Sequence, residues 1–279
     1  MPMVNSGTVG TVGAVGAVGA AAANTTGDAG AATLPHARVL GVRVDVVTER
    51  GLLDLVARWV AESRKGTGSR PRQVATINPE FVMRARANPR FAAVLEAADV
   101  ATPDGVGVIW AARRGGARIP ARVGGADIAL PLARQCARLG HHLFLLGAAE
   151  GVAAEAARRL GEQIPGLHVD AYPGSPAPEA DAETVARVRA ARPDVVLVAY
   201  GSPKQEFWIA RNKEEVGAAV SIGVGGAVDY LAGVQRRAPA LMQRLWLDWA
   251  FRLVTQPRRW RRMLALPRFV WAVLRESRA

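Results

Sequence analysis

Between residues 38 and 223, short apolar runs alternate with longer stretches of helical spacing, and this alternation sets the predicted fold. Arg38–Val47 alternates apolar and polar positions like a strand. Glu49–Arg64 then carries Leu52, Leu53, Val56, Trp59 and Val60 on one helical face. After a polar linker (65–72), a strand over Gln73–Ile77 runs into Thr76-Ile-Asn-Pro-Glu80, and a helix opens behind Pro79. A helix over Phe91–Ala98 and a brief strand over Asp99–Ala101 lead into Thr102-Pro-Asp-Gly-Val-Gly107. Helix Val108–Arg114, a glycine-rich basic loop (Gly115–Gly125) and a helix from Asp127 to Leu139 follow. The remaining strands are expected at His142–Leu146, Leu167–Tyr172, Asp194–Tyr200 and Ala218–Ile222, with helices between them at Val152–Gln163, at Ala180–Arg192 and after Pro203. Such alternation means βαβ units, hence an α/β fold with a Rossmann-like, mostly parallel sheet flanked by helices.

The stretch Asp194–Arg211 carries the strongest local signal. Its first part is a short β-rich run bounded by Pro193 and Gly201, as in a strand buried on both faces. Gly201-Ser-Pro-Lys-Gln-Glu206 then reads as a tight strand-to-helix turn. In it Gly201 tolerates unusual dihedrals, Ser202 is placed as N-cap and Pro203 at the first helical position. A helix starting there aims backbone N–H groups over the strand's carboxyl end, which favours an anion, and Lys204 and Gln205 add a charge and an amide to that rim.

Ligands of parallel α/β sheets gather at the carboxyl ends of strands. The loops expected there supply Thr76 and Asn78, Asp104, Arg122 and Asp127, Gly147, Ser202, Lys204 and Gln205, and Asp229. Asp104, between Pro103 and Gly105, reads either as a turn aspartate capping the following helix or as a general base held near an acceptor hydroxyl. Gly105 and Gly107 would let a substrate approach closely. Gly223, Gly225 and Gly226 resemble a phosphate-cradling turn. The chain has no G-x-G-x-x-G after a strand and no G-x-x-x-x-G-K-[ST], which disfavours dinucleotide and P-loop enzymes. Nor does an Asp-x-Asp triplet follow a strand to hold a metal-bound diphosphate, so a diphosphate leaving group would be neutralised by Lys, Arg and helix N-termini. No metal and no cofactor are expected.

Charge changes the picture at the C-terminus. The 279 residues carry a formal +12, and residues 236–279 hold eleven arginines against Asp248 and Glu276, so +9 of the charge is local. There Trp246, Trp249, Phe251, Trp260, Phe269 and Trp271 interleave with the arginines, and Pro239, Pro257 and Pro267 divide the segment into helices. None reaches the ~20 apolar residues of a membrane span. The composition suits an interfacial membrane helix; nucleic-acid binding or simple packing on the domain are the alternatives. Residues 1–33, rich in Ala, Gly, Val and Thr, read as a disordered tail rather than a signal peptide. The expected organisation is therefore tail (1–33), α/β domain (34–235) and basic, aromatic-rich helical appendage (236–279). Cys136 is the only cysteine, which excludes an internal disulfide and a cysteine-based zinc site; it reads as a buried inert thiol.

Taken together, Thr76-x-Asn-Pro-Glu, Thr102-Pro-Asp-Gly-Val-Gly-Val, Arg122-Val-x-Gly-x-Asp127, Gly201-Ser-Pro-Lys-Gln-Glu, Gly223-Val-Gly-Gly-Ala-x-Asp-x-x-Ala-Gly233 and Arg237-Ala-Pro resemble the WecG/TagA/CpsF family of bacterial glycosyltransferases. The similarity runs in order over about residues 38 to 265. It implies inverting, metal-independent transfer of a hexosyl group, such as N-acetylmannosamine, from a UDP-sugar to an undecaprenyl-diphosphate-linked saccharide. The implied place is the cytoplasmic face of the cell membrane, as a peripheral protein with an anionic lipid surface and no nucleic acid as partner. Carried over by motif, Asp104 is the proposed general base, and Thr76, Asn78, Arg122 and Gln205 fall where the family contacts donor and acceptor. Arg252, Arg259 and Arg262 match the appendage arginines that approach the diphosphate. Leu247-Asp248-Trp249 stands where members commonly read Leu-Glu-Trp. Gly124-Gly125 lies where members vary, in a loop that the resemblance connects with sugar choice. The rival reading is a non-catalytic nucleotide-binding protein anchored to membrane or nucleic acid by its basic tail.

Overall fold

The computed structural model describes residues 34–66, 69–236, 238–239, 242, 251 and 264–276. Its centre is a six-stranded, all-parallel sheet built from β3 (Arg72–Ile77), β4 (Val100–Pro103), β5 (His142–Gly147), β6 (His168–Tyr172), β7 (Val195–Ala199) and β8 (Val220–Gly223), in the order β4-β3-β8-β7-β5-β6. Strand β7 lies inside the sheet with every residue buried, as its unbroken apolar run predicts.

Alternation along the strands divides the core into two layers. On β5 and β7, Leu143, Leu145, Val195 and Leu197 face helices α1 (Glu49–Arg64), α5 (Gly125–Leu139) and α6 (Val152–Gln163). Phe144, Leu146, Val196 and Val198 face the opposite layer, which holds α7 (Asp181–Ala191) and α8 (Lys204–Val216). Helices α2 (Pro79–Ala87), α3 (Pro89–Ala97) and α4 (Val106–Arg114) build a second cluster at the β4 edge. The inert thiol holds: Cys136 is fully buried in the first layer, and burial pushes its pKa up to about 12.

The expected single strand over Arg38–Val47 is instead an antiparallel hairpin outside the main sheet, β1 (His36–Val39) and β2 (Val42–Asp45). The chain reverses at Leu40-Gly41, both with positive φ (50° and 85°), the dihedrals a two-residue hairpin demands. Gly41 announces that turn; Leu40 in the left-handed region hides it. The hairpin covers the β4 edge, where the buried carboxylate of Asp45 accepts the Ala101 N–H at 2.7 Å.

Three helices meet beside the β4 terminus. Helix α10 (Ala265–Glu276) lies across α2 and α4 and inserts Phe269, which is fully buried. Gly107 makes that junction possible: a Cβ there would stand 2.8 Å from Pro79 and 3.5 Å from Phe269. The closeness expected of Gly107 therefore serves helix packing rather than an approaching substrate.

Candidate functional site

The loops after β3, β4, β7 and β8 converge on one cleft of ≈ 590 Å³ at the carboxyl edge of the sheet. Thr76, Asn78, Asp104, Arg122, Asp127, Gly201, Ser202, Lys204, Gln205, Gly225, Gly226 and Asp229 all line it. Residues separated by more than 150 positions in the chain are thus brought within reach of one ligand.

Each side chain is held for a local reason. Asn78 caps α2, its Oδ1 accepting the Phe81 N–H at 3.0 Å; what it can offer a ligand is its NH₂ group. Thr76 donates its hydroxyl to the Gly223 carbonyl at 3.1 Å, tying the ends of β3 and β8 and leaving its oxygen as an acceptor. Asp104 follows directly from β4, its N–H donating to the Ile77 carbonyl at 2.7 Å. It does not cap α4. That helix starts from Gly105, at φ 108°, without a side-chain cap.

The Asp104 carboxylate lies against Gly124, where a Cβ would meet its Oδ1 at 2.3 Å and the Asp127 Oδ2 at 3.1 Å. The first glycine of the pair is thus required by Asp104, and the second by backbone: a Cβ on Gly125 would stand 2.7 Å from the Val224 Cα. Arg122 closes the same wall through a two-pronged ion pair with Asp127, 3.0 Å on each prong, a geometry suited to guanidinium and carboxylate. Asp127 also accepts the Gly124 N–H at 3.3 Å at the start of α5.

The turn after β7 differs in detail from expectation. Helix α8 starts at Lys204, with Pro203 in the capping position and no side-chain cap, so Ser202 is not the N-cap; the Ser202-Pro203 peptide is cis. The stitching comes from Gln205, whose Oε1 accepts the N–H groups of Gly201 and Gly225 at 3.0 Å each. Gly147 and Gly223 stand behind the cleft wall. A Cβ on Gly147 would meet Tyr200 at 2.9 Å, and one on Gly223 would meet Gln205 at 2.6 Å. Both glycines serve close packing of the loops. Arg252, Arg259 and Arg262 lie outside the described residues.

Among the further lining residues that the sequence reading passed over are Glu80, Phe81, Tyr200 and Tyr230, and Glu206 lies buried near the rim. Glu80 and Glu206 are the acids of the two quoted motifs; a Glu in a first helical turn looks like a dipole-complementing residue, which masked them. Among the described lining residues, Glu80, Asp104, Asp127 and Asp229 face only two cations, Arg122 and Lys204. The grouping of His142, His168 and Asp170, with ligand atoms within 4.8 Å of one another, lies at the far end of the sheet, where β5 and β6 begin.

Comparison with known proteins gives the same family that the motifs resemble. The model of the "Glycosyl transferase WecG/TagA/CpsF family" matches residues 37–279. A Bacillus spizizenii protein named N-acetylglucosaminyldiphosphoundecaprenol N-acetyl-beta-D-mannosaminyltransferase is 37% identical over 206 residues, 74% of this chain and 80% of its own length. Proteins of the same name from Bacillus subtilis (34% over 206 residues) and Staphylococcus aureus (27% over 244 residues, 86% of this chain and 92% of theirs) are also similar. With its parallel α/β core, its shared cleft and this match over most of its length, the chain is a glycosyltransferase that belongs to the WecG/TagA/CpsF family.

Proposed function

We propose that this enzyme transfers an N-acetylmannosamine-like group from a UDP-sugar to an undecaprenyl-diphosphate-linked N-acetylglucosamine, in the synthesis of a cell-surface polysaccharide or teichoic-acid-type polymer. The observation that carries the reading is that Asp104, the Thr76–Asn78 rim and the Gly201–Gln205 rim line one cleft large enough for a nucleotide sugar. The transferred sugar and the acceptor class follow the names of the relatives; the UDP-sugar donor is what the motif resemblance implies.

Asp104 takes the proton from the acceptor hydroxyl as its oxygen attacks the anomeric carbon; the bond from that carbon to the diphosphate breaks, and UDP leaves. A single displacement turns the α-linked nucleotide sugar into a β-linked product, in line with the "beta" in the relatives' name. The NH₂ of Asn78 and the hydroxyl oxygen of Thr76 face sugar or acceptor hydroxyls, and Gly226 and Asp229 complete that wall. The positive end of α8 and the Lys204 ammonium meet the diphosphate.

Those groups do not suffice for a diphosphate, since the described lining holds four carboxylates and two cations. The missing charge is assigned to residues 236–279, with their +9; there Arg252, Arg259 and Arg262 are assigned to the leaving group. Neutralisation by these cations, without a metal ion, is part of the proposal. The segment also carries a membrane-facing surface. On α10, Trp271 is 60% exposed and Val270 and Leu274 are also exposed, as is Leu264 just before the helix, while Arg275 stands 4.2 Å over the Trp271 ring. Aromatic, aliphatic and basic groups on one helix suit the interface of an anionic bilayer, and no described helix is long and apolar enough to cross one. The enzyme is accordingly assigned to the inner membrane face as a peripheral protein.

The test is incubation with UDP-N-acetylmannosamine and a short-chain N-acetylglucosaminyl-diphosphate prenol, followed by NMR of the product. A β-linked disaccharide lipid is expected. Transfer from other UDP-sugars only would overturn the sugar assignment, and an α-linked product would overturn single displacement.

A further inference from the structure

The motif after β7 ends in a carboxyl group for which the proposed chemistry has no use. Glu206 is fully buried beneath the cleft rim. Its Oε1 accepts the Gln205 Nε2–H at 2.7 Å, and Oε2 has no aligned partner among the described residues. From β3, Gln73 reaches its backbone carbonyl at 3.4 Å. From β8, Gly223 leaves the room its side chain needs, since a Cβ there would stand 2.8 Å from Oε1. Ser202 lies close enough to draw the carboxyl's proton affinity down a little, without the alignment of the Gln205 bond. Arg84, itself paired with Glu80 at 3.0 Å, is the charged side chain whose field reaches it.

The amide of Gln205 has two ends, and only one orientation serves the loops. Its oxygen accepts from Gly201 and Gly225, one N–H from each of two loops. Turned over, it would set an NH₂ against two N–H donors, four hydrogens crowded together with no acceptor among them. Those two donors favour the working orientation only while both loops are in place; an acceptor fixed at the other end of the amide holds it whether or not they are. We propose that Glu206 is a positioning residue whose buried carboxyl sets the orientation of the Gln205 amide and so holds the β7–α8 and β8–α9 loops together as one rim, where α9 is Ala227–Leu231.

A buried acceptor beside a cleft for an anion has an electrostatic requirement: a carboxylate there would repel the diphosphate and carry the full cost of dehydration. Burial, the largest effect on Glu206, raises its pKa to about 7. In the neutral acid the carbonyl oxygen still accepts from Gln205 while the hydroxyl faces Ser202. Above neutrality the carboxyl ionises, and opening of the rim, which admits water to the charge, becomes more favourable. A glutamine at 206 reproduces the neutral acid, with an oxygen for Gln205 and an NH₂ in place of the hydroxyl. A methionine keeps the length and removes the acceptor.

The experiment is amide hydrogen exchange read at Gly201 and Gly225, as protection factors, in the full chain and its E206M and E206Q variants, from pH 6 to 9. Loss of one buried hydrogen-bond acceptor predicts that E206M lowers protection at both amides by about tenfold or more, with E206Q within about threefold of wild type at pH 6. Protection in the wild type should fall as pH rises through 7, and in E206Q it should not. Unchanged protection in a folded E206M would overturn the proposal. Should E206M not fold, parallel pH profiles in wild type and E206Q would overturn it equally. The consequence for the donor rests on the function proposed above: the Kd for UDP should rise about tenfold in E206M and recover in E206Q. Failure of the wild type to bind UDP would contradict that function while leaving the exchange result to decide the role of Glu206.

Discussion

At the scale of single residues, the arrangement around Asp104 leaves no room for a side chain at Gly124. Gly124 has no conformational reason to be glycine, since its φ of −95° suits any residue. It is glycine because a Cβ would stand 2.3 Å from the Asp104 carboxylate. Gly124→Ala should therefore lower turnover by about 100-fold, the effect of displacing a reacting group by an ångström. Thermal unfolding and UDP binding would show whether the loss is confined to chemistry, as expected. Asp104 itself was legible in the sequence as one of two readings, a turn aspartate or a general base, and the proposed function takes the second. Glu206 was not legible, because its burial comes from β3 and β8, more than 100 and about 15 positions away. Its raised pKa has a stability consequence with a definite sign. The unfolded carboxyl releases its proton near 4.5 and the folded one near 7. The contribution of Glu206 to stability is therefore fullest below pH 4.5 and declines as pH rises to 7, by about 3 kcal/mol. Urea unfolding of E206Q and wild type at pH 5 and pH 8 should show the variant gaining on the wild type at the higher pH.

At the scale of elements, local signals and long-range ones had different fates. The periodicity of α1, α5 and α6 and the apolar runs of β5 and β7 are properties of neighbouring residues, and the structure has them where the pattern puts them. The hairpin was misread because period-2 alternation continues through Leu40-Gly41 without a break. Two residues with positive φ then reverse the chain. The start of α8 was misread because Ser-Pro is a strong cap signal, whereas Gln205 does the joining through its side chain. The hairpin has an energetic role, since Asp45 satisfies an N–H on the β4 edge that the sheet leaves open. Asp45→Ala strands that buried donor and should cost about 1–3 kcal/mol of stability. Denaturant unfolding would measure it, and Asp45→Asn, which keeps an acceptor, should recover most of the loss.

For the whole molecule, the distribution of charge organises the account. Among the described charged residues lining the cleft four acids face two cations, residues 236–279 carry +9, and in the proposed function a diphosphate draws on both. Full activity would then require arrival at a lipid surface. Replacing Trp271 and Leu274 together by glutamate leaves the Phe269 contact in place. Flotation with phosphatidylglycerol vesicles should fall, as should turnover on vesicle-embedded acceptor, by about tenfold or more for two reversed interfacial contacts. Undiminished flotation would remove α10 from the membrane interface. The central claim is narrower and concerns one carboxylate at the meeting point of these loops. Its most direct test is the transfer rate of Asp104→Asn with UDP-N-acetylmannosamine and a lipid-linked acceptor, beside its affinity for UDP. A general base predicts a rate lower by about 10²–10⁴-fold with UDP affinity held within about threefold; turnover at the wild-type rate would contradict the account.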